Sequence, residues 1–179
     1  MMSSGRRKLT ADLVRPRRGG FLRPFGCGLF IREFLSGRGP GDSIMIDPAT
    51  GAPQADIFHY YKMALISATA DDRAIRLEEK QARSERRAIS PEKVAVLIER
   101  AYKSLPYKAH GCRYHSFVVY FSMLKRLGWV EATGEEEPSA FQDNYPPSQP
   151  RKYFRLTAAG VAAPDFAWAN PQRALSFNL

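Results

Sequence analysis

His110, Cys112 and His115 stand in the pattern H-x-C-x2-H, with Cys27 far upstream, and no other residues in the chain come nearer to metal or nucleophile chemistry. Three such donors can approach one cation. Zinc sites, however, usually join one close ligand couple to a second, and this sequence offers no second couple. A cysteine beside a histidine also suits nucleophile and base, but no glycine-rich phosphate cradle, paired carboxylate motif or nucleophile elbow accompanies it. The pattern reads as a partly buried thiol next to histidines at a helix start. No catalytic residue, metal or cofactor is assigned, and a non-enzymatic protein is expected.

The stronger chemical signal is charge. Among 179 residues, 27 Lys+Arg oppose 18 Asp+Glu, a net charge of +9. Residues 1–38 hold nine cations against two acids, and residues 91–128 hold seven against two. The segments between and after them are neutral to acidic. An excess organised in two blocks points to a polyanion, nucleic acid first. With 44% hydrophobic residues the chain can bury a core, which excludes wholesale disorder. Two cysteines exclude a disulfide framework, and no apolar run approaches the roughly 18 residues of a membrane span. A cytoplasmic, nucleoid-associated protein with no membrane partner is expected.

The elements follow from spacing. Residues 1–53 read as a basic arm and loop rich in Gly and Pro, with a short apolar helix near 28–36 that docks on the body or on a partner. The arm's composition also resembles an organellar transit peptide, though it suits a nucleic-acid-binding tail equally well. Ile57, Tyr61, Leu65, Ala68, Asp72 and Ile75 step at helical spacing, and the sequence then becomes RLEEKQARSERR. This predicts one long helix over 54–87, within a segment 54–89, apolar at its start and solvated at its end. Asp72 with Arg76 and Glu79 with Arg83 are favourable i,i+4 pairs on it. The long helix is also the expected surface for a homodimer.

Ser90-Pro91-Glu92 is a helix start, and Val94, Leu97, Ile98, Ala101 and Leu105 continue it to Pro106. The next helix runs from about Arg113 to Leu127. Phe117, Tyr120, Phe121, Leu124 and Leu127 crowd one arc of it, and His115, Val119, Ser122 and Arg126 lie opposite. Gly128 closes this helix. Trp129 to Thr133 and Arg151 to Thr157 then alternate as two strands of a hairpin. The long, proline-rich loop between them begins with Glu135-Glu136-Glu137 just after Gly134 and continues through Asp143. Thr157 caps a short Ala-rich turn, and residues 164–179, with Phe166, Trp168, Leu175 and Phe177, form a docking tail.

Met123-Leu124-Lys125-Arg126-Leu127-Gly128-Trp129-Val130-Glu131 resembles the end of the recognition helix and the first wing strand of MarR-like and PadR-like regulators. Lys152-Tyr153-Phe154-Arg155-Leu156-Thr157-Ala158-Ala159-Gly160 resembles their second wing strand and the turn after it. The resemblance covers residues 90–163. It implies a mainly α fold with a small β-hairpin wing, an α+β winged helix-turn-helix carrying a long N-terminal helix and a basic arm.

Such a domain lays its recognition helix in the major groove of double-stranded DNA. Here His115, Ser116, Val118, Val119 and Ser122 would meet base edges, and Arg113, Tyr114, Lys125 and Arg126 would meet phosphates. Lys108, Arg151 and Lys152 complete a basic rim. Bidentate Arg-to-guanine and Asn/Gln-to-adenine readers are missing from mid-helix, so phosphate contacts carry most of the binding. The acidic wing departs from the pattern. It favours an alternative, a winged-helix module for protein–protein interaction in a larger assembly.

Overall fold

The structure is a computed structural model, and it describes residues 26–38, 46–107, 113–137 and 150–177. In chain order the elements are α1 (Cys27–Leu35), β1 (Ala52–Pro53), α2 (Gln54–Ser84), α3 (Pro91–Ser104), α4 (Tyr114–Arg126), β2 (Val130–Glu137), β3 (Arg151–Leu156), α5 (Ala158–Ala162), α6 (Asp165–Ala169) and α7 (Pro171–Phe177). The described residues are mainly helical, with a three-stranded antiparallel sheet in the order β1-β3-β2. Of the arm and loop, residues 1–25 and 39–45 lie outside the described residues.

One core joins most of these elements. Phe30, Ile31, Phe34 and Leu35 of α1 meet Ile57, Tyr61 and Leu65 of α2, Phe117, Phe121 and Leu124 of α4, and Phe154 of β3. The short apolar helix placed near 28–36 is therefore α1, docked on the body with all four of these side chains at most 2% exposed. Ala52 pairs with Phe154 and Pro53 with Tyr153, so the loop read up to residue 53 ends in an edge strand. Proline is tolerated there because an edge position and a helix start each leave its missing N–H without a required partner.

Two expectations about α2 change. Its first half buries Ile57, Tyr61, Leu65 and Ala68 as the stripe predicts, but Asp72 and Ile75 are exposed. The second half is not a solvated tail: Ala70, Ala74, Glu78 and Ala82, stepping by four, are buried where α3 lies against it. Small side chains let the two helices approach closely, and α3 supplies half-buried Val94, Leu97, Ile98 and Ala101. α2 and α3 thus form an antiparallel helical hairpin within one chain.

The hairpin turn is built from polar groups. Ser84 ends α2, and Arg86 adopts φ 52°, while Arg87 N–H donates to Ala82 O (3.0 Å) and Arg86 N–H to Arg83 O (3.3 Å). This is a Schellman-type stop with arginine where glycine is usual. The Glu78 carboxylate, wholly screened from solvent, accepts both Arg87 guanidinium nitrogens and the Ser90 N–H (2.9 Å). These donors hold its pKa down to about 2. Ser90 in turn accepts from Lys93 N–H and caps α3.

The partner of α4 also differs from the expected one. The winged helix-turn-helix that the sequence resembles would set the preceding helix, here α3, behind Tyr120, Leu124 and Leu127. Instead α4 packs on the start of α2, on β2 and on α7, and α3 packs chiefly along the distal half of α2. Phe117 meets Phe58 (ring centroids 5.4 Å) and Tyr61 (6.2 Å). The helix beneath α4 is therefore α2, and the distal α2–α3 hairpin stands between the two in sequence.

Candidate nucleic-acid interface

The position of α4 is fixed from both ends. At its C-terminus Trp129 N–H donates to Leu124 O (3.1 Å) and Gly128 N–H to Lys125 O (3.0 Å), with Gly128 at φ 69°. That left-handed turn sends the chain directly into β2. At its N-terminal end Tyr114 packs on Phe58 of α2, and before the undescribed residues 108–112 the chain is held on α2 as well, His59 Nδ1 and Tyr107 Oη lying 3.2 Å apart and Lys62 Nζ 4.3 Å from the Tyr107 ring centroid. Burial pushes the Tyr107 hydroxyl pKa up. His59, Lys62 and Tyr107 do not stand out in the sequence, because a lysine among apolar helix positions gives no signal of the aromatic ring above it.

With its apolar arc buried, α4 turns the opposite arc outward. His115, Ser116 and Val119 are exposed, as are Lys125 and Arg126, and Val119 shows 57% of its surface. Ser122 and Val118 are half-buried. His115, Val119, Ser122 and Arg126 step by four, three and four, so they lie in one line along the helix. Arg113, immediately before the helix, is exposed. Tyr114 is divided between two uses, for its ring packs edge-on against Phe58 (5.1 Å) while 48% of the residue stays accessible. Lys125 leans toward the sheet, its Nζ 5.4 Å from the Phe154 ring centroid. Lys108, His110 and Cys112 lie outside the described residues. Cys27 is buried in the core at the start of α1.

The β2–β3 hairpin differs from the wing expected from sequence. β2 runs on to Glu137, so Glu135, Glu136 and Glu137 belong to a strand and not to the loop, and a register shift between Ala132 and Glu136 accommodates Gly134. The acids then face cations across the ladder: Glu131 meets Arg155 (2.9 Å), Glu136 meets Lys152 (3.8 Å) and Glu137 meets Arg151 (2.9 Å). Arg151 also pairs with Asp56 at the start of α2, and Tyr153 Oη donates to Glu137 (2.9 Å). The Glu137 carboxylate raises the Tyr153 pKa. Arg151 and Lys152, expected on the phosphate rim, are thus two of the three cations of a near-neutral ladder, and Arg151 ties the β2–β3 hairpin to α2. Residues 138–149, Asp143 among them, lie outside the described residues.

The arrangement gathers Arg113, Tyr114, His115, Ser116, Val119, Lys125 and Arg126 on or beside one helix face and leaves Arg151 and Lys152 engaged next to it. No group of metal-ligating side chains occurs among the described residues. No helix among them is long and apolar enough to cross a membrane. Comparisons with family models, curated proteins and solved structures gave no match.

Proposed function

We propose that this chain is a double-stranded DNA-binding protein, a transcriptional regulator or chromosome-associated factor, built on a winged helix-turn-helix whose recognition helix is α4. The observation that carries the reading is the outward arc of α4, with exposed His115, Ser116, Val119 and Arg126 opposite the buried Phe117, Phe121 and Leu124. The element order supports it. A helix, an edge strand, two packed helices and a two-stranded hairpin with sheet order β1-β3-β2 is the order of a winged helix, here with the distal hairpin of α2 and α3 inserted. In this reading Arg113, Lys125 and Arg126 contact phosphates, Lys108 adds to them, and Val119 with His115 and Ser116 approaches base edges. Arg151 and Lys152 orient the wing and contribute less. The protein is non-enzymatic and associates with the nucleoid.

The test is Val119→Glu. The side chain is exposed, so the fold survives the change, while a carboxylate at the centre of the face repels phosphate. Fluorescence anisotropy with a labelled duplex should show binding lost at unchanged melting temperature; binding at wild-type affinity contradicts the proposal.

A second reading, a protein-interaction module, rests on a specific observation: the wing cations are paired with Glu131, Glu136 and Glu137, and Phe166 and Val161 lie 79% and 68% exposed on α6 and α5. It predicts that Phe166→Ser abolishes a partner contact and leaves duplex binding untouched. Homodimerisation through α2 is the less favoured assembly, because α3 already covers the buried line of its distal half.

A further inference from the structure

The line of α2 that packs on α4 does not end where the body ends. Phe58, Lys62, Leu65, Thr69, Arg73, Arg76, Lys80 and Arg83 follow one another by four, three, four, four, three, four and three residues, a continuous helical stripe. Its first members face the body: Phe58 touches Phe117 and Tyr114 of α4, and Leu65 is buried in the core. Its last four are cations. Ala70, Ala74, Glu78 and Ala82, which face α3, lie on the other side of the helix, so the cationic stretch is turned away from α3 and toward the side on which α4 sits.

Arg73, Arg76, Lys80 and Arg83 are all exposed. Arg76, Lys80 and Arg83 line one shallow groove together with Glu79 and Ser84. Arg76 is paired with Asp72 at 2.9 Å, but the Glu79 pair with Arg83 suggested by sequence is not formed, and among the described residues no carboxylate lies within ion-pairing distance of Lys80 or Arg83. At about 1.5 Å per residue, this ridge lies roughly 22–38 Å along the axis from the Phe58 contact, a separation that spans one turn of duplex, about 34 Å. The buried Glu78 carboxylate, clamped by Arg87 and the Ser90 N–H, holds the hairpin that carries it.

We infer that Arg73, Arg76, Lys80 and Arg83 form a second phosphate-contact surface, which engages the same duplex as α4 about one helical turn away and so rests on the DNA-binding reading of that helix. The sugar–phosphate backbone is the ligand, so this surface adds affinity and footprint length but no sequence preference.

The experiment measures duplex binding of the full chain to a 30-base-pair DNA across a salt series. It uses Lys80→Ala/Arg83→Ala, with Lys93→Ala/Arg100→Ala on α3 as a control of equal charge loss and Val119→Glu as the α4 variant. The ridge variant should lower the slope of log K against log salt by about 1.8, at about 0.9 per phosphate contact, while the control keeps the wild-type slope. A wild-type slope in the ridge variant, or an equal drop in the control, overturns the ridge and leaves the α4 reading standing. Wild-type affinity in Val119→Glu with a lowered slope in the ridge variant overturns the α4 reading and with it the placement of the ridge one turn from α4, leaving phosphate contact at the ridge alone. A wild-type chain that binds no duplex overturns both.

Discussion

The indole rings of Trp129 and Trp168 lie 4.8 Å apart, one at the exit of α4 and the other in the C-terminal segment, and the backbone of Gly160 touches both residues. Trp168 Nε1 donates to Gly160 O (2.9 Å), Gly160 N–H donates to Thr157 Oγ1 (3.0 Å), and Thr157 N–H donates to Trp129 O (3.0 Å). Thr157 Oγ1 also donates to Gly128 O (2.5 Å). The turn after β3 therefore grips the residue pair that ends α4, and the tail is bolted on through Trp168, which is fully buried.

Gly160→Ala tests this grip. A Cβ there would stand 2.2 Å from Trp129 O, a backbone atom that cannot swing aside. The variant should lose about 1–3 kcal/mol, the usual cost of overpacking, and show altered tryptophan fluorescence. Chemical denaturation measures it, and a wild-type midpoint would show that the Trp129 contact is looser than described.

Arg86→Gly should stabilise the chain. Arg86 holds a left-handed backbone conformation, φ 52°, which costs a non-glycine residue about 1–2 kcal/mol. Its side chain is exposed, so little packing is lost. The gain should be about 0.5–1 kcal/mol after the extra freedom glycine brings to the unfolded chain. A lowered melting temperature would contradict this description of the hairpin turn.

Acid should loosen the hairpin through Glu78. The carboxyl has an ordinary pKa near 4.5 and is held at about 2 by Arg87 and the Ser90 N–H. Below pH 4.5 the unfolded chain takes up a proton that the folded chain refuses, so the contribution is complete above that pH and is lost as pH falls through about 2. The stability gap between wild type and Glu78→Gln should be constant from about pH 7 to 5 and close toward about pH 2. A gap that does not change with pH would show that the charge of Glu78 is not what ties the turn.

The cations of the β2–β3 hairpin should matter less than those of α4. Arg151 is shared by Asp56 and Glu137, and Lys152 faces Glu136, whereas Arg126 projects from the outward arc. Arg126→Ala should therefore weaken duplex binding more than Lys152→Ala in the same anisotropy titration; the reverse order would move the interface onto the wing.

Periodicity is enough to place α2, α3, α4 and the strand beginnings, because apolar side chains at helical or alternating spacing report burial directly. The Ser90 and Thr157 caps are legible for the same local reason. What the sequence hides is non-local. Ala70, Ala74, Glu78 and Ala82 read as polar or neutral positions, and only the approach of α3 and the guanidinium of Arg87 make them interior. Glu135 to Glu137 read as loop because like charges seldom build a strand, until Arg151 and Lys152 face two of them across the ladder. Ala52 and Pro53 are too short a strand to signal, and their partner strand is far away in sequence. The face of α4 is legible, since its amphipathic arc alone separates Phe117 from Val119.

Duplex binding through the outward face of α4, chiefly by phosphate contact, is tested most directly by the affinity of the full chain for a duplex across a salt series, for wild type and for Arg113→Ala/Arg126→Ala. Log K should fall linearly with log salt, with a slope shallower by about 1.8 in the double variant, at about 0.9 for each contact removed. No duplex binding by the wild-type chain at about 50 mM salt, where phosphate contacts are strong, or an unchanged slope in the variant, would contradict it.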